Sequence, residues 1–525
     1  MLFRLTAPTL TTLRLALVGC ASLAGVSLAM ADPPTAISGA SPFGGCTADN
    51  MPGQPGTNYP GAEVEPWADV NPTNSNNVIA AWQQDRWSNG GSRGLMSGYS
   101  SNGGTTWTPV LVPGISLCSG GTFERASDPW VTISPNGAAY FMSLSFMNDE
   151  PSGAGGDNAM LVNRSTDGGA SWSAPQALIF DTDGQIFNDK NSMTADPTDS
   201  NYVYAVWDRL DDLALPHAGK PNGHVAHGGD GVVNARQRRE DAINRGGTVT
   251  NTRSYTGPAY FARTSNGGVS WETAKPIFDP GTNSQTIANQ VVVLKNGNVA
   301  DFFTEIDHNG QTSIGIVKST DNGATFGPRQ TAIKTNITRI GTLTPDAKQG
   351  VRDANILFDV AVDRDNGNLY LVWQDGRSQN IDRVAFSMST NNGASWSTPA
   401  IIAKTPYSSN KLRMQSFIPS VEVMADHRLA VTYYDFRNDT AVGGEMTDYW
   451  AITCDPTAGN CRLPSDWGNE QQLTAASFDM LNAPEAFGHF LGDYQGLVKQ
   501  GTGARAVFAV TVAPNQNDIV TAFIP

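Results

Sequence analysis

The chain has 525 residues and a net charge of −15, with 16% charged residues against 54 glycines, 31 prolines and 12 tryptophans. An acidic surface argues against nucleic acid and anionic membrane as partners, while leaving room for a local basic pocket that takes an anionic sugar. Long amphipathic helical runs are missing, and short alternating segments between Gly, Asn and Asp clusters predict an all-β protein.

Residues 1–31 read as an export signal. Arg4 and Arg14 precede an apolar run from Leu15 to Ala29, and Ala29-Met30-Ala31 supplies small residues for cleavage before Asp32. Leu17-Val18-Gly19-Cys20 also fits a lipoprotein signal, but the apolar run continues past Cys20. A secreted or periplasmic location is expected, with lipid anchoring through Cys20 as the alternative. No other stretch is long and apolar enough to span a bilayer.

Four cysteines remain beyond the leader, an even number that suggests two disulfides in an exported protein. Cys454 and Cys461 flank a short Asp-Pro-Thr-Ala-Gly-Asn segment, which pairs them across a hairpin and leaves Cys46 with Cys118. The spacing matches no zinc site.

Residues 32–59 form an N-terminal segment ahead of the repeats. From residue 60 to 525 the chain is repetitive. Five segments share Ser/Thr-x-Asp/Asn-x-Gly-x-Ser/Thr-Trp/Phe: SSNGGTTW from Ser100, STDGGASW from Ser165, TSNGGVSW from Thr264, STDNGATF from Ser319 and STNNGASW from Ser389. The Asp or Asn can accept backbone N–H bonds across a turn, glycine takes positive φ, and the closing aromatic packs between sheets. These residues build the fold; a catalytic role is not expected of them. Strand pairs precede the boxes, as in DPWVTISPNGAAYFMSL from Asp128 and FDVAVDRDNGNLYLVW from Phe358. Seven such pairs predict a β-propeller of seven four-stranded antiparallel blades, with six the alternative, and with the N-terminal segment able to supply the closing strand.

The boxes resemble the Asp-box (BNR) repeats of the sialidase superfamily, and the order of elements is similar to bacterial sialidase-like, exo-α-sialidase proteins. The resemblance implies a secreted glycoside hydrolase acting on acidic glycans at the central mouth, opposite the box turns. Members hold the sugar carboxylate with three arginines and use a tyrosine nucleophile activated by glutamate, with an aspartate as acid. The Arg-Ile-Pro segment usual in a first blade is absent here. Asp128, Glu305, Arg352, Arg377 and Tyr434 fall in an order compatible with acid, activator, arginines and nucleophile. Tyr433 and Tyr434 point to opposite faces of a strand, so at most one reaches the mouth.

The residues themselves add candidates. The starts of the innermost strands include Glu65, Arg125 with Asp128, Asp189 with Lys190, Gln290, Arg352 with Asp353, and His489 with Asp493 and Tyr494. His489 and Tyr494 are expected near the axis, where they could also serve a polysaccharide lyase; either could otherwise be structural. Arg125 and Arg352 are expected to converge on an anion. A second theme, aromatic-Asp-Arg, recurs at Trp82–Arg86, Trp207–Arg209, Trp373–Arg377 and Tyr434–Arg437. Its repetition favours loop bracing, with Arg377 and Arg437 retained as substrate contacts. Residues 210–257 form a polar insertion with His217, His224, His227 and the basic run 236–239, read as a lid or a plain surface loop.

No cofactor is required by this reading. Structural calcium stays open, although Asp363–Gly367 fits a hairpin turn better than an oxygen-ligand loop. The partner is expected to be carbohydrate, and the protein a monomer. A lyase or other glycan-active enzyme, and a propeller that binds glycan or protein without catalysis, remain the alternatives.

Overall fold

The computed structural model describes residues 33–50, 56–148, 156–213, 255–337, 341–440, 443–457 and 461–525. The leader with Cys20, the three insertion histidines and the basic run at 236–239 lie outside the described residues. The architecture is all-β, and among the described residues only short 3-10 turns interrupt it; no helix is long and apolar enough to cross a membrane.

Strand pairing falls into repeated antiparallel groups. The first comprises Glu63–Val70, Val78–Arg86, Ser92–Ser100 and Thr108–Leu111. The second comprises Arg125–Ile133, Ala139–Phe146, Asn158–Ser165 and Gln176–Asp181. Groups of the same order begin with Ile186–Ala195, Ser284–Val293, Phe358–Val362 and Ser416–Val423. The last holds Gly496–Gln500, Gly503–Ala513 and Gln516–Ile524, and its fourth strand is Thr35–Ala36, paired with Val520 and Thr521.

The first strands pack against one another in chain order, and Gly496–Gln500 packs back against Glu63–Val70. Side chains tie neighbours together. Ile133 N–H donates to Asp69 Oδ2 at 2.8 Å, Ala195 N–H to Thr132 Oγ1 at 3.0 Å, and Val421 N–H to Asp359 Oδ2 at 2.8 Å. The second strands are the driest: Val78–Arg86, Ala139–Phe146 and Leu369–Asp375 are buried throughout. Apolar runs at their starts, such as Val78–Trp82 and Leu369–Trp373, are why they stand out in the sequence.

All five boxes form the same turn. In the second, Ser165 Oγ donates to Asp167 Oδ1 at 2.8 Å, Ser171 N–H donates to the same oxygen at 3.0 Å, and Gly169 N–H donates to Ser165 Oγ at 3.0 Å. The first, built on Asn102, repeats these contacts. Box aromatics reach the preceding group: Trp172 Nε1 donates to Ser97 Oγ at 2.8 Å, and Phe326 meets Phe261 edge-on at 5.0 Å. Trp172 is 9% exposed, whereas Trp107, Trp271, Phe326 and Trp396 are only half-buried. The packing between sheets expected of every closing aromatic buries Trp172 alone and leaves the other four partly exposed.

Both disulfides are formed, Cys46–Cys118 and Cys454–Cys461. The Cys454 hairpin stands where a box would. Trp467 fills the place of the missing aromatic, donating to Cys461 O at 3.0 Å and meeting Phe386 edge-on at 5.0 Å.

Trp172→Ala should lower stability by about 3–5 kcal/mol through a cavity between two groups; half-buried Trp271→Ala should lose less. Urea unfolding of both variants measures this. A second expectation concerns Glu63, which joins the first group to the last by accepting from Ile519 N–H at 3.1 Å. Burial pushes its carboxyl from 4.5 up to about 8. The folded state then keeps a proton that the unfolded chain releases, so this group's contribution falls as pH rises from 4.5 to about 8 and is level above that. Glu63→Gln should remove that slope and gain on the order of 3–5 kcal/mol above about pH 8. Urea midpoints at about pH 5 and about pH 9 compare the two proteins.

Candidate functional site

The site begins with a backbone irregularity repeated around the first strands. Near the start of each, one residue has positive φ: Glu65 (54°), Asp128 (52°), Lys190 (46°), Ala288 (59°), Ala354 (44°) and Ile418 (50°). At all of these except Ala354 the strand register shifts, the signature of a β-bulge. Ahead of the last group the equivalent vertex is Gly492, where a Cβ would lie 2.5 Å from Glu65 N. Positive φ costs an L-residue about 1–2 kcal/mol. Such strain persists where the surroundings enforce it, and it clusters at sites.

Three consecutive vertices carry charge, and they meet. Lys190 Nζ lies 3.4 Å from Glu65 Oε1, 3.6 Å from Asp128 Oδ2 and 2.5 Å from Asp493 Oδ2. Lys190 N–H also donates to Asp128 Oδ2 at 3.1 Å. Arg352 closes on Asp493 through Nε at 3.0 Å and a second nitrogen at 2.8 Å. Gln83 Nε2 donates to Glu65 and, at 3.1 Å, to Ser127 Oγ. Arg86 donates to Gln83 Oε1 at 2.6 Å, and the Arg86 and Arg352 guanidiniums lie 4.9 and 4.4 Å from the Phe490 ring centre.

This surrounding divides the carboxylates. Burial raises Glu65 above its ordinary range, more than Lys190 lowers it. Burial also opposes charge on Asp493, but Arg352 and Lys190 outweigh it and hold that carboxyl well below its ordinary range. Burial opposes the Lys190 charge, yet the three carboxylates prevail and raise it. The two carboxyls are thus pushed in opposite directions, Glu65 up and Asp493 down.

A small pocket, open to solvent, lies beside the cluster. Lys190, Asp493 and Tyr494 line one side with Trp67 and Trp130; Ala288, Ala354 and Ile418 line the other. The two indoles stack at 3.6 Å, and Tyr494 meets Trp130 at 5.6 Å and Trp67 at 6.0 Å. Its hydroxyl donates to Pro129 O at 3.1 Å.

The sequence-predicted residues separate accordingly. Asp128, Arg352 and Tyr494 come together at the cluster and cavity. Arg125 does not join Arg352: it is fully buried, donates to Asn89 Oδ1 and Gly90 O at 2.8 Å, and packs on Trp87 at 4.3 Å. Glu305 forms an ion pair with Arg329 at 2.5 Å on the outer side of its group. Tyr434 is fully buried, its hydroxyl donating to Ala509 O at 2.7 Å, so it does not reach the mouth. His489 lies beside the cavity rather than in its wall; its Nε2 meets Gln349 Oε1. The segment around it is not an inner strand. Residues 489–490 instead run parallel to Val351–Arg352, and the inner strand is Gly496–Gln500. Arg377 and Arg437 brace their own Asp375 and Asp435 at 2.7 Å. Asp353 accepts from Gln374 Nε2 at 2.9 Å and does not hold Arg352. At Asp363–Gly367 a hairpin turn forms, and among the described residues Asp363, Asp365 and His427 are near enough to share an ion.

Sequence reasoning passed over Trp67 and Trp130, and read Arg86 only within the repeated loop-bracing theme. A signal was present: Glu65-Pro66-Trp67 and Asp128-Pro129-Trp130 repeat an acid-Pro-Trp unit at the vertices of adjacent strands. Lys190→Met should remove the cation shared by three buried carboxyls and destabilise by about 3–5 kcal/mol near neutral pH. The deficit should shrink on acidification, because carboxyls without their counter-ion bind protons more readily when folded. Urea unfolding across pH checks both parts.

No protein-family model matches the chain, and no curated protein matches its sequence. Similar solved structures include a protein of unknown function from Dyadobacter fermentans, at 14% identity over 90% of this chain and 99% of that one, TM-score 0.44. A Hadza microbial sialidase is similar at 14% identity over 75% of this chain and 66% of its own, TM-score 0.45. An α-L-arabinofuranosidase from Fusarium graminearum is similar at 10% identity over 94% and 98%, TM-score 0.40. In its five Asp boxes and all-β build, the chain resembles the sialidase superfamily.

Proposed function

We propose that the chain is a glycan-active enzyme of the glycoside-hydrolase type, working at the mouth of a ring of seven four-stranded blades. The seven blades are our reading of the strand groups and of the packing of the last first-strand against the first. One observation carries the functional proposal: a buried carboxyl raised above its ordinary range and another held below it share one ammonium beside an aromatic-walled cavity. In this reading Glu65 is the acid that donates a proton to the glycosidic oxygen. Asp493 stays ionised and takes the proton of the attacking water. Asp128 orients Lys190, and Lys190 holds the two carboxyls apart in charge. Trp67, Trp130 and Tyr494 offer the apolar surface that sugar rings need.

The finer sialidase-like form has its own support. Arg86, Arg352 and Lys190 bring three cations to one cluster, which suits a sugar carboxylate, and Tyr494 rather than Tyr434 is the phenol at the mouth. An acidic glycan is the substrate class this favours. A secreted monomer that needs no cofactor completes the proposal.

The test is turnover of a panel of sialosides, uronate polysaccharides and neutral arabinosides. Glu65→Gln, similar in size, should lower kcat/KM by on the order of 10²–10⁴-fold while the protein stays folded. Wild-type activity should fall as pH rises through the raised Glu65 value, since only the protonated acid works. An absence of turnover on every substrate, or a Glu65→Gln variant as active as wild type, would rule out the hydrolase.

A further inference from the structure

The vertices divide into two halves, and the division is not required by the fold. Three successive first strands place Glu65, Asp128 and Lys190 at the strained position, and the next three place Ala288, Ala354 and Ile418 there. Backbone strain alone would favour glycine at each. Glycine occurs only at Gly492, where a Cβ would strike the backbone of Glu65. At Ala288, Ala354 and Ile418 a side chain is kept despite the strain, and all three line the cavity opposite Lys190 and Asp493. Leu357 and Pro419 extend the same wall, in which Asp353, Asp359 and Gln374 are interspersed.

We propose that this ring of vertices is the recognition surface of the mouth, and that Ala288, Ala354 and Ile418 determine which sugar it accepts. The ligand is a pyranoside with one face rich in C–H groups, laid on the apolar half, and a polar edge turned to Lys190 and Asp493. This rests on the glycan reading above. Two alanines keep their vertices small while still presenting methyl groups; Ile418 presents a larger side chain at the third position. An apolar pocket discriminates by size, with one added or missing methylene worth about 10–200-fold.

The experiment is an array of neutral and acidic α- and β-linked pyranosides, followed by titration of the wild type's best glycan and by turnover of the same glycan. Ala288→Met and Ala354→Met should each weaken binding at least about tenfold with the melting temperature retained. Ile418→Ala should move the preference toward a bulkier sugar. Should a methionine variant fail to fold, Ala354→Ser puts a hydroxyl on the apolar wall at nearly constant size and should also weaken binding. Methionine or serine variants that bind like wild type, or an unchanged ranking in Ile418→Ala, overturn the proposal even where the glycan is cleaved. Binding that responds as expected without cleavage supports the proposal and sinks the hydrolase instead. An array on which the wild type binds nothing overturns both.

Discussion

The ammonium of Lys190 is the group on which the mouth depends. It sits where three chain segments far apart in sequence deliver Glu65, Asp128 and Asp493. Several carboxylates could not be buried so close together without a cation, since each would neutralise or drive the segments apart. With the lysine present, Asp493 stays ionised and is gripped by Arg352, while Glu65 is left as the group that takes a proton. The strained vertices follow from the same demand. A regular strand would alternate these side chains between its two faces, and a bulge re-aims one of them.

The parts of the fold that repeat were legible in the sequence. Five boxes mark their turns because Asp167, Asn102 and their equivalents satisfy the same backbone donors each time. Strands such as Leu369–Asp375 announce themselves through an apolar run, and they are buried throughout. The Cys454 hairpin was legible as the substitute for a box, but Trp467 was not, because it lies beyond a cysteine turn with no motif around it.

The site was legible only in outline. The starts of the inner strands were singled out, and the structure gathers Asp128, Arg352 and Tyr494 from them around Lys190, Asp493 and the pocket. What chain order cannot convey is direction. Arg125 and Asp128 are three residues apart, yet one turns to Trp87 between groups and the other to Lys190. Tyr434 matched a family order, but its strand presents it to Ala509 O in the dry contact between two groups. His489 was misplaced because Phe490 and His489 pair with Val351–Arg352 across an inter-group connection, an arrangement no local pattern announces.

The two-residue strand Thr35–Ala36 has a kinetic side. It completes the last sheet by pairing with Val520 and Thr521, and Ser38 Oγ accepts from Ile519 N–H at 2.9 Å across a separation of 481 residues. Each earlier group can order from contiguous chain, so sheets can accumulate one after another during synthesis. This final pairing must wait until the far strand has been made. Until then Gln516–Ile524 presents a row of unsatisfied backbone groups along one edge, open to any extended chain that arrives first. The early residues act as a latch that covers that edge, and a pairing of such long sequence separation cannot form before the last strand exists.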